Sequence, residues 1–137
     1  MSRYIPETVR LFVAERANYR CEYCRIPAAD SFFPFHIDHI VSLKHSGSTE
    51  ADNLAYCCQI CNLNKGTDIA TYLKDQSTPV RFFNPRTDAW PDHFEIDETG
   101  AIYPRTSIAE ATIKILDLNH PENIIERREL IEEGLFG

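Results

Sequence analysis

The chain has 137 residues, of which 43% are hydrophobic and 26% charged, and this composition excludes a disordered or membrane-embedded protein and predicts one soluble domain. The formal net charge of -7 disfavours nucleic acid as a partner, but the acidity is uneven: residues 1–70 carry seven basic and eight acidic side chains, and residues 71–137 carry seven and thirteen. No apolar run near the start is long enough for a signal peptide or a membrane span, so we expect a cytoplasmic protein without a membrane partner.

The first predicted element is a short amphipathic helix. Pro6 suits the start of a helix, and the apolar residues Val9, Phe12 and Val13 follow at spacings of three and four. The helix is expected to end near Arg16 and to pack its apolar side on the chain that follows. The segment CEYC then predicts a tight turn.

The segment SFFPFHIDHIVSL predicts a strand or hairpin because it is rich in aromatic and β-branched residues. Its phenylalanines are expected in the core rather than against nucleic-acid bases, since aromatic residues on a strand ordinarily pack. They are Phe32, Phe33 and Phe35.

A polar loop, KHSGSTEAD, comes next, and in it Ser48 or Thr49 is expected to cap a short helical turn before Asn53. CNLNKGTDIATYL predicts a helix at its start, with Gly66 as its interruption or end. PVRFF predicts a short strand, and HFEI and AIYP around DETG predict a hairpin. Two helices are predicted after it, the first with an apolar stripe of Ile108, Ala111, Ile115 and Leu118.

Two Cys-x-x-Cys pairs, Cys21 with Cys24 and Cys58 with Cys61, predict a metal site. Five cysteines in a chain without an export signal disfavour a disulfide framework. Four thiolates on two tight turns match a closed structural Zn²⁺ site, which we favour over cysteines that act only as small buried apolar residues. Cys57 is the odd residue, because only Cys58 keeps the two-residue gap to Cys61.

Asp38, His39, Asn53 and Asn62 are explained neither by packing nor by the zinc site. Phosphodiester hydrolysis needs a base for water, a divalent ion at the phosphate and a group that holds the base. The ordinary pKa of histidine, about 6.5, suits His39 to that base, and Asp38 and Asn62 offer hard oxygen ligands. Strand neighbours face opposite sides, so a shared site requires the strand to end, twist or bulge near His39, or the metal and water to lie at its edge. The alternative is a polar turn network without chemistry.

The segments IDHIVSL, NL at Asn53 and Leu54, and CQICNLNKG together resemble the HNH endonuclease family, in the subgroup whose motif is framed by two Cys-x-x-Cys pairs. The resemblance covers about residues 16–67. It implies an α+β fold with a small ββα-metal core stapled by a four-cysteine zinc site, a flanking N-terminal helix, and C-terminal strands and helices. Residues 71–137 are expected to pack on this core within a single domain, 1–137.

This resemblance implies a DNA endonuclease that leaves 5′ phosphate and 3′ hydroxyl ends. His39 takes the role of general base and Asn53 that of the residue orienting it, while Asp38 and Asn62 become ligands of the catalytic divalent ion. Members of the family often have His at the third motif position, which Asn62 occupies in this chain. An Asn62 amide oxygen instead favours Mg²⁺ or Mn²⁺ as catalytic ion, with Zn²⁺ as the structural one.

Three basic residues beside the motif, Lys65, Arg20 and Arg25, are candidate phosphate contacts, with solvated charge as the alternative. For His36 we favour a partly exposed position on the strand over a role as a further metal ligand. DNA is the expected nucleic acid, although RNA fits the same residues, and a protein partner would supply specificity. The competing hypothesis is a non-catalytic zinc-stapled module that binds protein or nucleic acid, which the retained His39 disfavours.

Overall fold

The computed structural model describes residues 4–29, 31–74 and 77–136. The helices and strands over these ranges are α1 Glu7–Arg16, β1 His36–His39, β2 Leu54–Cys57, α2 Gln59–Lys65, β3 Ala70–Thr71, β4 Val80–Arg81, α3 Trp90–His93, β5 Phe94–Ile96, β6 Ile102–Pro104, α4 Ser107–Leu116 and α5 Pro121–Glu132. The strands form three antiparallel pairs, β1 with β2, β3 with β4, and β5 with β6. The predicted α+β fold is confirmed.

The pair β1–β2 and the helix α2 form a ββα unit. Within the pair, His39 at the end of β1 lies opposite Leu54 at the start of β2. Helix α2 begins after Cys58, whose Sγ accepts a hydrogen bond from the backbone N–H of Cys61. It ends at Gly66, which has a φ of 52° that glycine adopts without strain, and the predicted end of this helix is confirmed.

Helix α1 starts after Pro6 and ends at Arg16, as predicted. Val13 is fully buried in a small cluster with Leu54 of β2, so the helix packs on the ββα unit. Phe12 lies on the other side of the helix and is 52% exposed, with the Arg16 guanidinium 5.1 Å from its ring centroid. The apolar side of α1 is therefore narrower than predicted, because the prediction included Phe12.

Strand β1 is shorter than the strand or hairpin predicted for its segment, because residues 31–35 are irregular. Pro34 lies in this stretch and has no N–H to donate to a strand neighbour. Phe32 and Phe33 are 92% and 51% exposed and contact each other, with ring centroids 5.1 Å apart. Their predicted place in the core is wrong, whereas Phe35 packs against the core.

The loop between β1 and β2 holds two 3₁₀ turns, Leu43–His45 and Ala51–Asn53. The second turn begins after Glu50 and has no side-chain cap, so the predicted cap by Ser48 or Thr49 is wrong. Ser48 Oγ instead accepts from the Glu50 N–H at 3.2 Å, one residue before the turn.

The predicted strand in PVRFF, the β5–β6 hairpin and both C-terminal helices are confirmed. The buried side of α4 differs from the predicted stripe, since Ile108 and Ile115 are only half-buried. Thr112 faces inward because its Oγ1 accepts from the Phe83 N–H at 2.8 Å, and this bond fixes the rotation of the helix. The fully or nearly buried side chains of α4 are Ala109, Ala111, Thr112 and Leu116.

One hydrophobic cluster joins the two halves of the chain, since it contains the cysteines of the first half and Phe83, Phe94 and Leu116 of the second. The indole N–H of Trp90 donates to the Tyr23 carbonyl at 2.9 Å across the same boundary. We propose on this basis that residues 1–137 form one domain. None of the helices in the described ranges has the length and apolar character needed to cross a membrane.

Candidate functional site

The sulfur atoms of Cys21, Cys24, Cys58 and Cys61 lie within 4.8 Å of one another, and all four residues are buried. In each pair the N–H of the second cysteine donates to the Sγ of the first at 3.4 Å, so both turns direct their sulfurs to the same point. Four converging sulfurs are a donor set that suits tetrahedral Zn²⁺. The cluster can therefore hold zinc, and Cys57 lies outside it, as its spacing predicted.

Burial raises the pKa of the Cys21 thiol, but hydrogen bonds from the other three cysteines outweigh burial and hold that pKa well below its ordinary value. Burial raises the pKa of Cys24 well above its ordinary value, and hydrogen bonds with the other three cysteines do the same to the pKa of Cys61. A divalent ion binds cysteine as the thiolate, so its binding at this cluster would release the thiol protons.

A cleft of about 210 Å³ opens beside the end of β1. Asp38, His39 and Asn62 all line it, so three of the four predicted catalytic residues lie around one space. Neighbouring strand residues ordinarily face opposite sides, but His39 is the last residue of β1, and both it and Asp38 line the cleft. Its other lining residues are Ile37, Ser42, Leu43, Lys44, Gly66 and Thr67.

Asp38 is only 5% exposed and is held from two sides. Its Oδ2 accepts from the Tyr23 hydroxyl at 2.8 Å, and its Oδ1 accepts from the Lys65 ammonium at 3.2 Å. Burial raises the pKa of Asp38, while the ion pair with Lys65 and the hydroxyl of Tyr23 oppose that rise. The carboxylate is therefore fixed in place before any ligand binds.

His39 is half-buried, and its Nε2 lies 3.2 Å from Thr49 Oγ1. The Asn53 side chain bonds elsewhere: Oδ1 accepts from the Val41 N–H at 2.9 Å, and Nδ2 donates to the carbonyls of Val41 and Ser48 at 2.8 and 2.7 Å. Asn53 thus ties the two ends of the loop that carries Thr49. Any effect of Asn53 on His39 would therefore act through that loop.

The loop closes tightly around this amide. A Cβ atom on Gly47 would lie 1.7 Å from the Val41 carbonyl oxygen and 2.8 Å from Asn53 Nδ2, so the position requires glycine. Asn62 lies on α2 directly after Cys61, and its Oδ1 is 3.9 Å from the Cys57 sulfur, a weak contact that leaves most of its acceptor capacity.

The predicted phosphate contacts do not line the cleft. Lys65 is 2% exposed and also donates to the carbonyls of His39 and Ile40 at 3.1 Å, so its ammonium is directed inward. Arg20 donates to the Leu135 carbonyl, and Arg25 lies over the Trp90 ring.

Lys44 is exposed and lines the cleft, although it was not among the residues predicted from the sequence. Its place directly after IVSL, in the loop that follows the Asp-His pair, was the available signal. His36 lies half-buried on β1 and outside the cleft lining.

Comparison with known proteins bears on the same segment. The family model described as HNH endonuclease matches residues 21–68, from the first cysteine to just past α2. Septu protein PtuA of Bacillus mycoides (strain KBAB4) is 26% identical over 149 residues, covering 89% of this chain and 20% of that protein, so the chain spans about a fifth of this relative's length. No solved structure gives a significant match. The resemblance of the sequence to the HNH endonuclease family is confirmed, because the model of that family matches residues 21–68.

Proposed function

We propose that the chain is a metal-dependent endonuclease that hydrolyses DNA phosphodiester bonds. The observation that carries this proposal is the cleft in which Asp38, His39 and Asn62 meet at the end of β1. A base and two hard oxygen donors around one space are the groups that the reaction needs. The family match supports a nuclease, and the residue roles are our inference.

His39 acts as the general base. The contact of its Nε2 with Thr49 orients the ring, and the unprotonated nitrogen of the neutral imidazole takes a proton from water. The resulting hydroxide forms a bond to phosphorus while the bond from phosphorus to the 3′ oxygen breaks. Protonation of that oxygen gives a 3′ hydroxyl end and leaves the phosphate on the 5′ end.

The donor atoms fit a hard divalent cation. Asp38 retains acceptor capacity beyond its bonds to Tyr23 and Lys65, and Asn62 contributes an amide oxygen, so Mg²⁺ or Mn²⁺ suits this pair. A cation held by Asp38 and Asn62 would supply positive charge near the phosphate and the leaving oxygen. Lys65 holds the Asp38 carboxylate in place through their ion pair and is a positioning residue.

Lys44 is the proposed phosphate contact, because its exposed side chain lies at the cleft that contains the base. With a net charge of -7, the protein is expected to bind DNA weakly and with strong dependence on salt. A protein partner that supplies specificity is part of the proposal, as is a cytoplasmic location.

The test is incubation of supercoiled plasmid with the zinc-loaded protein in low salt, with Mg²⁺, Mn²⁺ or EDTA. The wild type is compared with His39→Ala and with a control, His45→Ala. The control removes an exposed histidine from the loop between β1 and β2. Loss of a positioned base should slow cleavage by about 100- to 10,000-fold, whereas His45→Ala should cleave at the wild-type rate.

Equal cleavage by His39→Ala and the wild type would contradict the assignment of the base. Absence of cleavage by the wild type with every ion and with both DNA and RNA would favour the alternative, a zinc-stapled binding module. A gel-shift measurement with the same nucleic acids then tests for the binding module. Such a module should bind nucleic acid equally well in the wild type and in His39→Ala.

A further inference from the structure

We propose that helix α5 completes the zinc site, with Asn123 and Arg127 as positioning residues that hold the cysteine cluster in its metal-binding arrangement. Both residues lie far outside the segment that matches the HNH family, residues 21–68. Retention of zinc by the domain would then depend on the C-terminal helix of this chain.

Asn123 contacts both halves of the cluster. Its side chain is 3% exposed, and its Nδ2 lies 3.6 Å from the sulfur of Cys24 and 4.0 Å from the sulfur of Cys58. One amide group therefore donates towards one cysteine of each Cys-x-x-Cys pair. Hydrogen bonds to metal-bound thiolates hold the ligands in orientation and lower the negative charge on sulfur.

Arg127 provides the balancing charge. Its side chain is fully buried, and no acidic residue in the described ranges forms an ion pair with it. Carbonyl oxygens accept from its guanidinium, but burial of a cation still favours negative charge close by. A Zn²⁺ ion with four thiolates carries net negative charge, and the Arg127 guanidinium reaches this cluster through its bond to the Cys24 carbonyl at 3.1 Å.

The remaining bonds of Arg127 fix α5 against the second half of the chain. Its Nε donates to the Gly100 carbonyl at 2.7 Å and its Nη2 to the Leu118 carbonyl at 2.9 Å. A Cβ atom on Gly100 would lie 2.4 Å from the Ile124 carbonyl oxygen, so the helix approaches this turn as closely as glycine permits. The zinc cluster and the C-terminal half are thus joined through one guanidinium.

The experiment measures zinc transfer from the full zinc-loaded chain to a chromophoric chelator. Asn123→Asp keeps the shape of the side chain but replaces the donor with a charge that repels thiolates, and Arg127→Met removes the cation. Loss of a residue that hydrogen-bonds to a metal ligand typically weakens metal binding by about 10- to 100-fold. We expect zinc release to be faster by this order in both variants. Arg128→Met, an exposed change on the same helix, should release zinc at the wild-type rate.

Co²⁺ in place of Zn²⁺ gives a readout that a packing role would not affect. The sulfur-to-cobalt absorption band should shift in Asn123→Asp because the amide donor to two sulfurs is lost. An unchanged band together with wild-type zinc release would overturn the proposal, even if Arg127→Met fails to fold. A wild-type chain that binds neither ion would also overturn it. Neither result identifies the base of the proposed nuclease, which the comparison of His39→Ala with the wild type tests separately.

Discussion

Replacement of Lys65 by methionine should destabilise the protein strongly, although the residue was first expected to contact phosphate. The ammonium is 2% exposed and bonds to Asp38 Oδ1 and to the carbonyls of His39 and Ile40. Methionine fills much of the same volume but removes the charge and all three donors. Asp38 would then remain in the interior with only the Tyr23 hydroxyl as a partner from this network.

The expected loss of unfolding free energy is about 3–5 kcal/mol, the usual cost of removing one partner from a buried ion pair. The carbonyl groups of His39 and Ile40 lose a donor as well, which adds to the cost wherever water does not replace that donor. Asp38→Asn with Lys65→Met removes both charges, so the double variant should lose less than the two single variants combined.

Urea unfolding of the zinc-loaded proteins measures these differences, with Lys74→Met as the control for loss of an exposed lysine.

Burial already raises the pKa of Asp38, and loss of Lys65 would raise it further. The folded state then holds the proton more tightly than the unfolded chain, so unfolding free energy increases as pH falls towards the ordinary pKa of aspartate. The deficit of Lys65→Met should therefore shrink at acidic pH. A loss below about 1 kcal/mol, or strictly additive losses in the double variant, would refute the reasoning.

Two further predictions concern the loop and the odd cysteine. Asn53→Ala removes the bonds that join Val41 and Ser48, so cleavage should fall while zinc content stays unchanged; retained cleavage would exclude positioning of the base through this loop. Cys57→Ser should keep the zinc content of the wild type, whereas Cys58→Ser should lose zinc, as measured by metal analysis of the purified proteins. Zinc loss in Cys57→Ser alone would reverse the assignment of the pair.

The parts of the molecule that the sequence predicts well are those fixed by short-range spacing. The two cysteine pairs, the end of α2 at Gly66 and the β5–β6 hairpin all depend on residues close together in the chain. Such features follow from local geometry: two sulfurs on one turn, or a glycine where φ is positive.

Long-range contacts explain most of what the sequence did not predict. Lys65 reads as an exposed basic residue beside the motif, and only the fold brings Asp38 and two carbonyls around it. Asn123 and Arg127 carry no signal because their partners lie about a hundred positions earlier in the chain, at Cys24. Phe32 and Phe33 satisfied a strand pattern, but Pro34 and the irregular chain around it keep them outside the sheet.

Helix α2 connects the two sites, because it carries one cysteine of the cluster, one cleft residue and the ion-pair partner of Asp38 within about one and a half turns. Cys61 is a member of the metal cluster, Asn62 follows it in the cleft, and Lys65 lies one turn later against Asp38. A rotation of the helix that displaced the sulfur would therefore displace the amide oxygen and the ammonium together. Because α5 contacts the same cluster through Asn123, a metal bound there would hold α2 in its rotation, and we expect its removal to disturb the cleft as well.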